Sequence, residues 1–128
     1  MPDEGKAVQL LAKLIELEAG GEPYEGQLAV AYTVRNRWER QSWYGKTLWE
    51  VMTKPYQYSC FNAGLPSTDD VGEHYLKVAG AALSGRLPDP TSGATHYYAP
   101  ALIAEPPWVS SMVFTVKIGG HRFYKEGE

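Results

Sequence analysis

Residues 14–37 decide the fold, and they read LIELEAGGEPYEGQLAVAYTVRNR. The stretch begins in an apolar stripe whose members recur at helical spacing and share one helix face with Glu18. The stripe consists of Ala7, Leu11, Leu14 and Ile15. Glu18 therefore points where a core leucine is expected, and burial among apolar side chains raises the pKa of a carboxyl group. A glutamate that stays protonated in this way can donate a proton, so Glu18 is a candidate general acid.

A glycine elbow follows this acid. Gly20 and Gly21 allow the left-handed backbone conformation with which helices commonly end. Pro23 suits the first turn of a following helix, where its missing N–H has no cost. We predict a second helix that runs to about Trp38 and leaves Glu18 in the corner between two helices.

The alternative interpretation of Glu18 is a solvated surface residue, because most glutamates in a last helical turn face water. Glu16 provides a contrast within the same helix. It lies about 200° around the helix from Glu18, so we expect it to face water, whereas Glu18 continues the apolar stripe.

Composition indicates one domain that spans residues 1–128. A chain of 128 residues with 44% apolar residues can bury one core but not two. The formal net charge is −3, and the basic residues are scattered except for a helical trio, which we interpret as a solvated face. The trio consists of Arg35, Arg37 and Arg40. Because the chain has no basic field, we expect no nucleic-acid partner.

Local signals predict two further helices. Thr47 and Glu50 have the spacing of a capping box, which opens a short helix. Another helix is expected from Asp69–Asp70 to Leu83, with Gly85 as its stop.

The last third of the chain carries the strand signals. Residues 95–98 follow a loop rich in proline and glycine and are expected to be extended. Residues 112–118 alternate in hydrophobicity, and the following Gly119–Gly120 pair is typical of a two-residue hairpin. The predicted fold class is α+β, mainly α, with a small C-terminal β-hairpin.

Aromatic residues concentrate in or beside the loops. Proteins bind sugars by stacking the C–H faces on aromatic rings while polar groups hold the hydroxyls. The candidates are Tyr24, Tyr56, Tyr58, Phe61, Tyr97, Tyr98 and Trp108. We prefer Tyr97, Tyr98 and Trp108 as substrate-binding residues, although each aromatic residue could equally belong to the core.

The elbow is part of a longer motif. Residues 18–37 fit the pattern EAxGExxxGQxAVAxxVxNR, and further matching segments are residues 55–61, 89–98 and 119–124. Over these segments, which span nearly the whole chain, the sequence resembles the cell-wall hydrolase family of the spore-cortex-lytic enzymes. The resemblance implies a compact, lysozyme-like helical domain that cleaves the glycan strands of peptidoglycan, with Glu18 as its catalytic acid. Family members look like lytic transglycosylases, which cleave between N-acetylmuramic acid and N-acetylglucosamine and close a 1,6-anhydro ring.

One carboxylic acid suffices for that reaction. We predict that Glu18 protonates the glycosidic oxygen and then, as a carboxylate, takes the proton of the muramic-acid 6-hydroxyl group. Ordinary glycosidases use two carboxylates, and the sequence leaves hydrolysis and transglycosylation open. Glu25 is expected to hold substrate or orient Glu18, and Gln27 to contact an N-acetyl group. We expect neither a cofactor nor a metal.

Three other functions remain open on sequence alone. A zinc amidase or peptidase could use the three histidines, the cysteine and several carboxylates, but the chain has no HExxH and no CxxC motif. A cysteine peptidase would need Cys60 beside His74, His96 or His121. A non-catalytic peptidoglycan-binding module would use the same aromatic loops and leave the glycan intact.

The N-terminal sequence bears on location. Residues 1–5 contain no basic segment followed by an apolar one, and no apolar run reaches membrane-spanning length. We therefore expect neither a signal peptide nor a membrane anchor. One hypothesis is that a holin releases the protein to the wall, as for a phage endolysin. The expected partner is the peptidoglycan strand, bound by a monomer.

Overall fold

The computed structural model describes residues 4–55 and 57–127, in which four α-helices precede a small sheet. The helices are α1 (Glu4–Ala19), α2 (Tyr24–Arg40), α3 (Leu48–Thr53) and α4 (Glu73–Ser84). The strands are β1 (His96–Tyr98), β2 (Met112–Ile118) and β3 (His121–Glu126), and short 3₁₀ helices lie at Ser59–Phe61 and Pro107–Ser111. The predicted α+β fold with mainly helical content is confirmed. Residues 1–3, considered above for targeting, and the candidate aromatic residue Tyr56 lie outside the described residues.

The predicted pair of helices joined at Gly20–Gly21 is confirmed, but the left-handed conformation predicted there is wrong, because neither glycine has a positive φ. Helix α1 ends at Ala19, and the Gly20 N–H donates to the Glu16 carbonyl oxygen at 3.1 Å. Helix α2 begins directly after Pro23 and ends at Arg40, slightly beyond the predicted end. The apolar stripe of α1 is buried, and α1 packs against both α2 and α4. The elbow therefore stands at one edge of the helical core.

The capping box at the start of α3 is also confirmed. The Glu50 N–H donates to Thr47 Oγ1 at 3.0 Å, and the Thr47 N–H donates to Glu50 Oε1 at 3.1 Å. Two of the N–H groups that a helix start leaves unpaired are thereby satisfied, which fixes where α3 begins.

The predicted start of α4 at Asp69–Asp70 is wrong, because the helix begins at Glu73 after Gly72. The second of these aspartates instead forms an ion pair with Lys13 of α1 at 3.2 Å. The predicted end is confirmed, with Gly85 in the left-handed conformation at φ 71°. The local start signal at these aspartates is therefore not used, and Gly72 stands at the N-cap instead.

The sheet contains one more strand than predicted. Strands β2 and β3 form the expected hairpin around Gly119, but β1 pairs antiparallel with β3, giving the order β1-β3-β2. In the register, Tyr97 stands opposite Phe123. Because side chains alternate across a strand, Tyr97 shares one face of the sheet with Phe123, whereas His96 and Tyr98 lie on the other face.

The core sits between the helices and the inner face of the sheet, which is the face that carries Tyr97. Phe123 of β3 is fully buried there, together with Ile15 of α1 and Val34 of α2. In the part of the chain that the structure describes, no helix combines the length and the apolar character needed to cross a membrane.

Candidate active site

Glu18 lies in the last turn of α1, where the helix meets the elbow. The stripe residues Leu11, Leu14 and Ile15 have no exposed surface, while Glu18 is only partly buried. The carboxyl group therefore sits at the rim of the core rather than inside it. This position combines apolar surroundings with access from solvent, as a group that meets a substrate requires.

Tyr97 is the direct partner of Glu18. Its hydroxyl group donates a hydrogen bond to Glu18 Oε1 at 2.9 Å. Burial, followed by the negative charge of Glu18, raises the pKa of Tyr97 well above the ordinary value. The phenol therefore stays protonated and remains a donor. The structure thus brings together two of the residues that the sequence proposed for the site.

Cys60 lies close enough to Glu18 to be affected by its charge. Burial is the larger cause and the Glu18 carboxylate the second, and together they raise the pKa of Cys60 to about 12. A thiol with such a pKa is protonated at neutral pH and is a poor nucleophile. A cysteine peptidase needs a thiolate nucleophile, so this raised pKa argues against that alternative.

Tyr58 adds a polar group on the same side. Its ring is buried, and burial and the Glu18 carboxylate both raise its pKa. Within residues 4–55 and 57–127, the Tyr58 hydroxyl has no hydrogen-bond partner. Buried hydroxyl groups are normally satisfied, so this oxygen is a position where a ligand or a water molecule could bind.

Glu22 fastens the sheet to the elbow. Its Oε1 accepts a hydrogen bond from the Gly120 N–H at 2.8 Å and lies 3.9 Å from Nδ1 of His121. Gly119 takes the left-handed conformation at φ 56°, and a Cβ atom there would lie 2.0 Å from Glu22 Oε1, so any side chain would displace the Glu22 carboxylate. Sequence reasoning missed this contact, since the glycine pair signalled only a turn.

His121 joins this anchor to the acid. Its ring packs 5.1 Å from that of Tyr97, and its Nδ1 is buried with no hydrogen-bond partner among the described residues. Burial lowers the pKa of His121, while Glu22 and then Glu18 act in the opposite direction. A neutral imidazole therefore lines the site at neutral pH.

Arg37 corrects part of the sequence interpretation. It was expected on a solvated face, but it is buried, and its Nε donates to the Thr95 carbonyl oxygen at 2.6 Å. A second nitrogen donates to Gln57 Oε1 at 2.7 Å, and the guanidinium lies 5.0 Å from the Tyr58 ring centroid. Arg37 therefore ties α2 to the residue before β1 and to the segment that carries Tyr58.

Gln27 and Glu25 occupy different environments near the start of α2. Gln27 is buried, its Nε2 donates to the Glu22 carbonyl oxygen at 3.1 Å, and its Oε1 lies 2.7 Å from His74 Nε2. Glu25 is exposed in the first turn of the helix. Their predicted substrate contacts stay predictions. To contact an N-acetyl group, Gln27 would have to break its hydrogen bonds with the Glu22 carbonyl oxygen and His74.

Tyr98 and Trp108 are not placed beside Glu18. Tyr98 is on the outer face of the sheet, where its ring lies 6.0 Å from that of Trp108 and stacks 6.1 Å from that of Tyr124. The strand alternation that brings Tyr97 to the acid turns Tyr98 away from it. If Tyr98 and Trp108 contact substrate as predicted, they do so on a different surface from the one around Glu18.

The described residues offer no ready metal centre. No group of three or more histidine, cysteine, aspartate or glutamate side chains among them is arranged to hold an ion. Of the histidines, His121 faces Glu22, whereas His74 contacts Gln27 and His96 lies 3.0 Å through Nδ1 from Thr95 Oγ1.

The fold and the sequence place the chain in a class of wall-degrading enzymes. A family model described as Cell Wall Hydrolase matches residues 21–124, and the chain belongs to this family. Solved structures agree: the catalytic domain of the Bacillus cereus SleB protein covers 93% of this chain and 89% of its own, with a TM-score of 0.78 and 31% identity. The catalytic domain of the germination-specific lytic transglycosylase SleB from Bacillus anthracis gives the same TM-score at 29% identity, covering 93% of each chain.

Longer relatives are similar over most of the chain. The spore cortex-lytic enzyme of Halalkalibacterium halodurans is 33% identical over 117 residues, which are 91% of this chain and 34% of that protein. The corresponding enzyme of Oceanobacillus iheyensis is 32% identical over 121 residues, or 92% of this chain and 41% of that protein. The chain therefore spans less than half the length of these relatives.

Proposed function

We propose that this chain cleaves peptidoglycan glycan strands between N-acetylmuramic acid and N-acetylglucosamine, with Glu18 as the single acid and base. The observation that carries the proposal is the hydrogen bond from Tyr97 to Glu18, which holds the carboxyl group at the elbow. Its support is the similarity to solved catalytic domains, one of them that of a lytic transglycosylase.

The reaction begins with proton donation. Protonated Glu18 gives its proton to the glycosidic oxygen, the bond from C1 of the muramic acid to that oxygen breaks, and positive charge develops at C1. The resulting Glu18 carboxylate then takes the proton of the muramic-acid 6-hydroxyl group, and O6 bonds to C1. The products contain all atoms of the substrate, so no water is consumed and Glu18 ends protonated.

The hydrogen bond that Glu22 accepts from Gly120 favours this route over a two-carboxylate mechanism. Retaining and inverting glycosidases need a second carboxylate free to act as nucleophile or to activate water. Glu22 is the other carboxylate that influences His121, but it is committed to the backbone N–H of Gly120 at 2.8 Å. A carboxylate that anchors a turn is poorly available for nucleophilic attack.

Tyr97 has a supporting task in this scheme. A neutral phenol can donate to the carboxylate after Glu18 has lost its proton, and it thereby stabilises the form that must act as the base. Because the Tyr97 ring packs between His121 and Phe123, the hydroxyl group is held in place without further cost during the reaction.

The test compares Glu18→Gln with Glu16→Gln on purified sacculi. Glu16, two residues away, bonds to Lys13 at 3.0 Å and has no role in the proposal. We expect Glu18→Gln to lower the release of soluble fragments by at least about 100-fold without changing thermal stability, while Glu16→Gln stays active. Substantial activity of a well-folded Glu18→Gln protein would refute the assignment.

Mass spectrometry of the products distinguishes transglycosylation from hydrolysis, which share the first proton transfer. Anhydro ends, about 18 Da lighter than hydrated ends, are expected for the single-carboxylate route, and hydrated ends would show hydrolysis instead. All proposed groups belong to one chain, so we also expect a monomer to be active, which sedimentation at assay concentration would check.

A further inference from the structure

A cleft lies away from Glu18, on the side of the sheet that carries His96. It encloses about 410 Å³. Its walls include Trp43, Tyr44, His96, Trp108, Met112 and Glu126. Tyr97, the residue after His96, points to the opposite face and reaches Glu18. The sheet therefore separates this cavity, called the outer cleft here, from the acid.

Trp43 forms one wall of the outer cleft and is unusually open for such a large apolar residue, with 58% of its surface exposed. Its ring lies 4.2 Å from that of Tyr44, which is fully buried. The ammonium group of Lys54 lies 5.5 Å from the Trp43 ring centroid and donates to its carbonyl oxygen. An exposed indole held from several sides loses little conformational freedom when a ligand binds.

Another part of the lining combines an aromatic ring with a neutral polar group. The Trp108 ring lies 4.9 Å from that of His96 and 5.3 Å from that of Tyr124, which is buried. Burial, with Arg37 as the second cause, lowers the pKa of His96 to about 4. His96 uses Nδ1 for Thr95, so Nε2 of a neutral imidazole remains to bond a ligand.

The charge in the outer cleft is compensated. Among the described residues that line it, Glu126 is the only carboxylic acid, and its Oε2 lies 2.5 Å from Nε of Arg40. The described lining residues include no lysine or arginine that would pair with a phosphate or a peptide carboxylate, and an ammonium group would compete with Arg40. Aromatic walls with neutral hydrogen-bonding groups suit a saccharide, whose C–H faces stack and whose hydroxyls bond.

We propose that the outer cleft is a second glycan-binding site, which holds a neutral β-1,4-linked N-acetylhexosamine segment away from the bond that is cleaved. The proposal rests on the proposed function for the identity of the polymer, but it is independent of Glu18. Binding there keeps the enzyme on an insoluble strand between cleavage events, and short soluble substrates gain nothing from it.

The first experiment maps binding in the Glu18→Gln protein, in which we expect little turnover of substrate. The probe is the tetramer of N-acetylglucosamine, and the readout is the indole N–H signals of the four tryptophans. We expect the signals of Trp43 and Trp108 to shift. Trp38, whose indole already donates to the Lys46 carbonyl oxygen at 3.2 Å, and Trp49 are internal references and should not shift. Unchanged Trp43 and Trp108 signals at saturation would overturn the proposal.

The second experiment separates this site from catalysis. We expect Trp43→Ala to weaken binding to sacculi roughly fivefold to tenfold while leaving cleavage of short soluble glycans intact. Phe114→Ala is the matched control, because Phe114 is 43% exposed and lies outside the outer cleft. Equal losses on sacculi and on short glycans would place Trp43 in the cleavage site and refute a separate one.

The two proposals fail in different ways. If Glu18→Gln stays lytic while the tetramer still shifts Trp43, the catalytic assignment fails and the outer cleft stands. If isolated stem peptides shift Trp43 and the tetramer does not, the outer cleft is a peptide site and the saccharide proposal is wrong.

Discussion

The hydroxyl group of Tyr97 donates to Oε1 of Glu18 at 2.9 Å across 79 positions of sequence. The acid comes from the first helix and its donor from the first strand of the sheet. Each would be unremarkable alone, because a tyrosine in a strand and a glutamate at a helix end are common. Their contact is what defines the site.

Removing the hydroxyl of Tyr97 tests that contact. Tyr97→Phe keeps the ring between His121 and Phe123 but removes the donor. Since a hydrogen bond to a charged group contributes about 1.5–3 kcal/mol, we expect kcat on sacculi to fall by roughly tenfold to 100-fold with little change in KM. Tyr32→Phe, which loses a hydrogen bond to the Leu87 carbonyl oxygen, should lower stability but spare kcat. Equal kcat for both variants would contradict the role of Tyr97.

Gly119 is predicted to tolerate no side chain. In Gly119→Ala the new Cβ would meet Glu22 Oε1 at 2.0 Å, and the backbone at φ 56° is itself unfavourable for alanine. We expect the free energy of unfolding to fall by about 2 kcal/mol or more, measured by chemical denaturation. Gly120→Ala, whose Cβ would lie 3.1 Å from Glu22 Oε2, should have a smaller effect. A smaller loss at Gly119 than at Gly120 would argue against the anchor.

His96 makes stability depend on pH. Its pKa is lowered from 6.5 to about 4, so between these values the unfolded chain binds a proton that the folded chain does not. The free energy of unfolding should therefore be highest above about pH 6.5 and fall by about 1–2 kcal/mol toward pH 4, allowing for solvent screening. His121, with a pKa also lowered by burial, adds to this slope.

The contribution of His96 is isolated by His96→Gln. We expect the variant to lose stability less steeply than the parent between pH 6.5 and pH 4, as followed by urea denaturation at each pH. Parallel curves for the two proteins would show that His96 titrates normally.

Arg37 is predicted to be structural. Arg37→Met leaves the Thr95 carbonyl oxygen and the Gln57 side-chain oxygen without their donor, so we expect a loss of about 2–4 kcal/mol in the free energy of unfolding. Arg86→Met, at an exposed position, should change stability by less than about 0.5 kcal/mol. A neutral Arg37→Met would mean that these oxygens find other donors.

The sequence predicted those elements whose signals are local. The stripe before Glu18, the helix end at Gly20–Gly21 and the Gly119–Gly120 turn each depend on residues a few positions apart. All three are confirmed, although neither Gly20 nor Gly21 takes the predicted left-handed conformation. The position of Glu18 at the helix end followed from the same periodicity. Its proposed role comes from chemistry and resemblance, and the experiments above test it.

Contacts between distant segments could not be predicted in this way. The hydrogen bond from Gly120 to Glu22 joins residues 98 positions apart, and no local sequence signal near either residue predicts it. Strand β1 has only three residues, too few for alternation to show which face each side chain would take. Tyr97 and Tyr98 were therefore grouped, although only Tyr97 reaches the acid. Arg37 was misplaced because helical position alone does not reveal what later packs against it.

The bond between Glu22 and Gly120 has a consequence for the newly made chain. Because the ribosome makes Glu18 well before the hairpin of β2 and β3, the nascent polypeptide carries this glutamate before the strands that support it. Lytic activity should therefore appear only after this hairpin has formed. Heat or mild denaturant that frees this hairpin should likewise silence the enzyme while its helices persist.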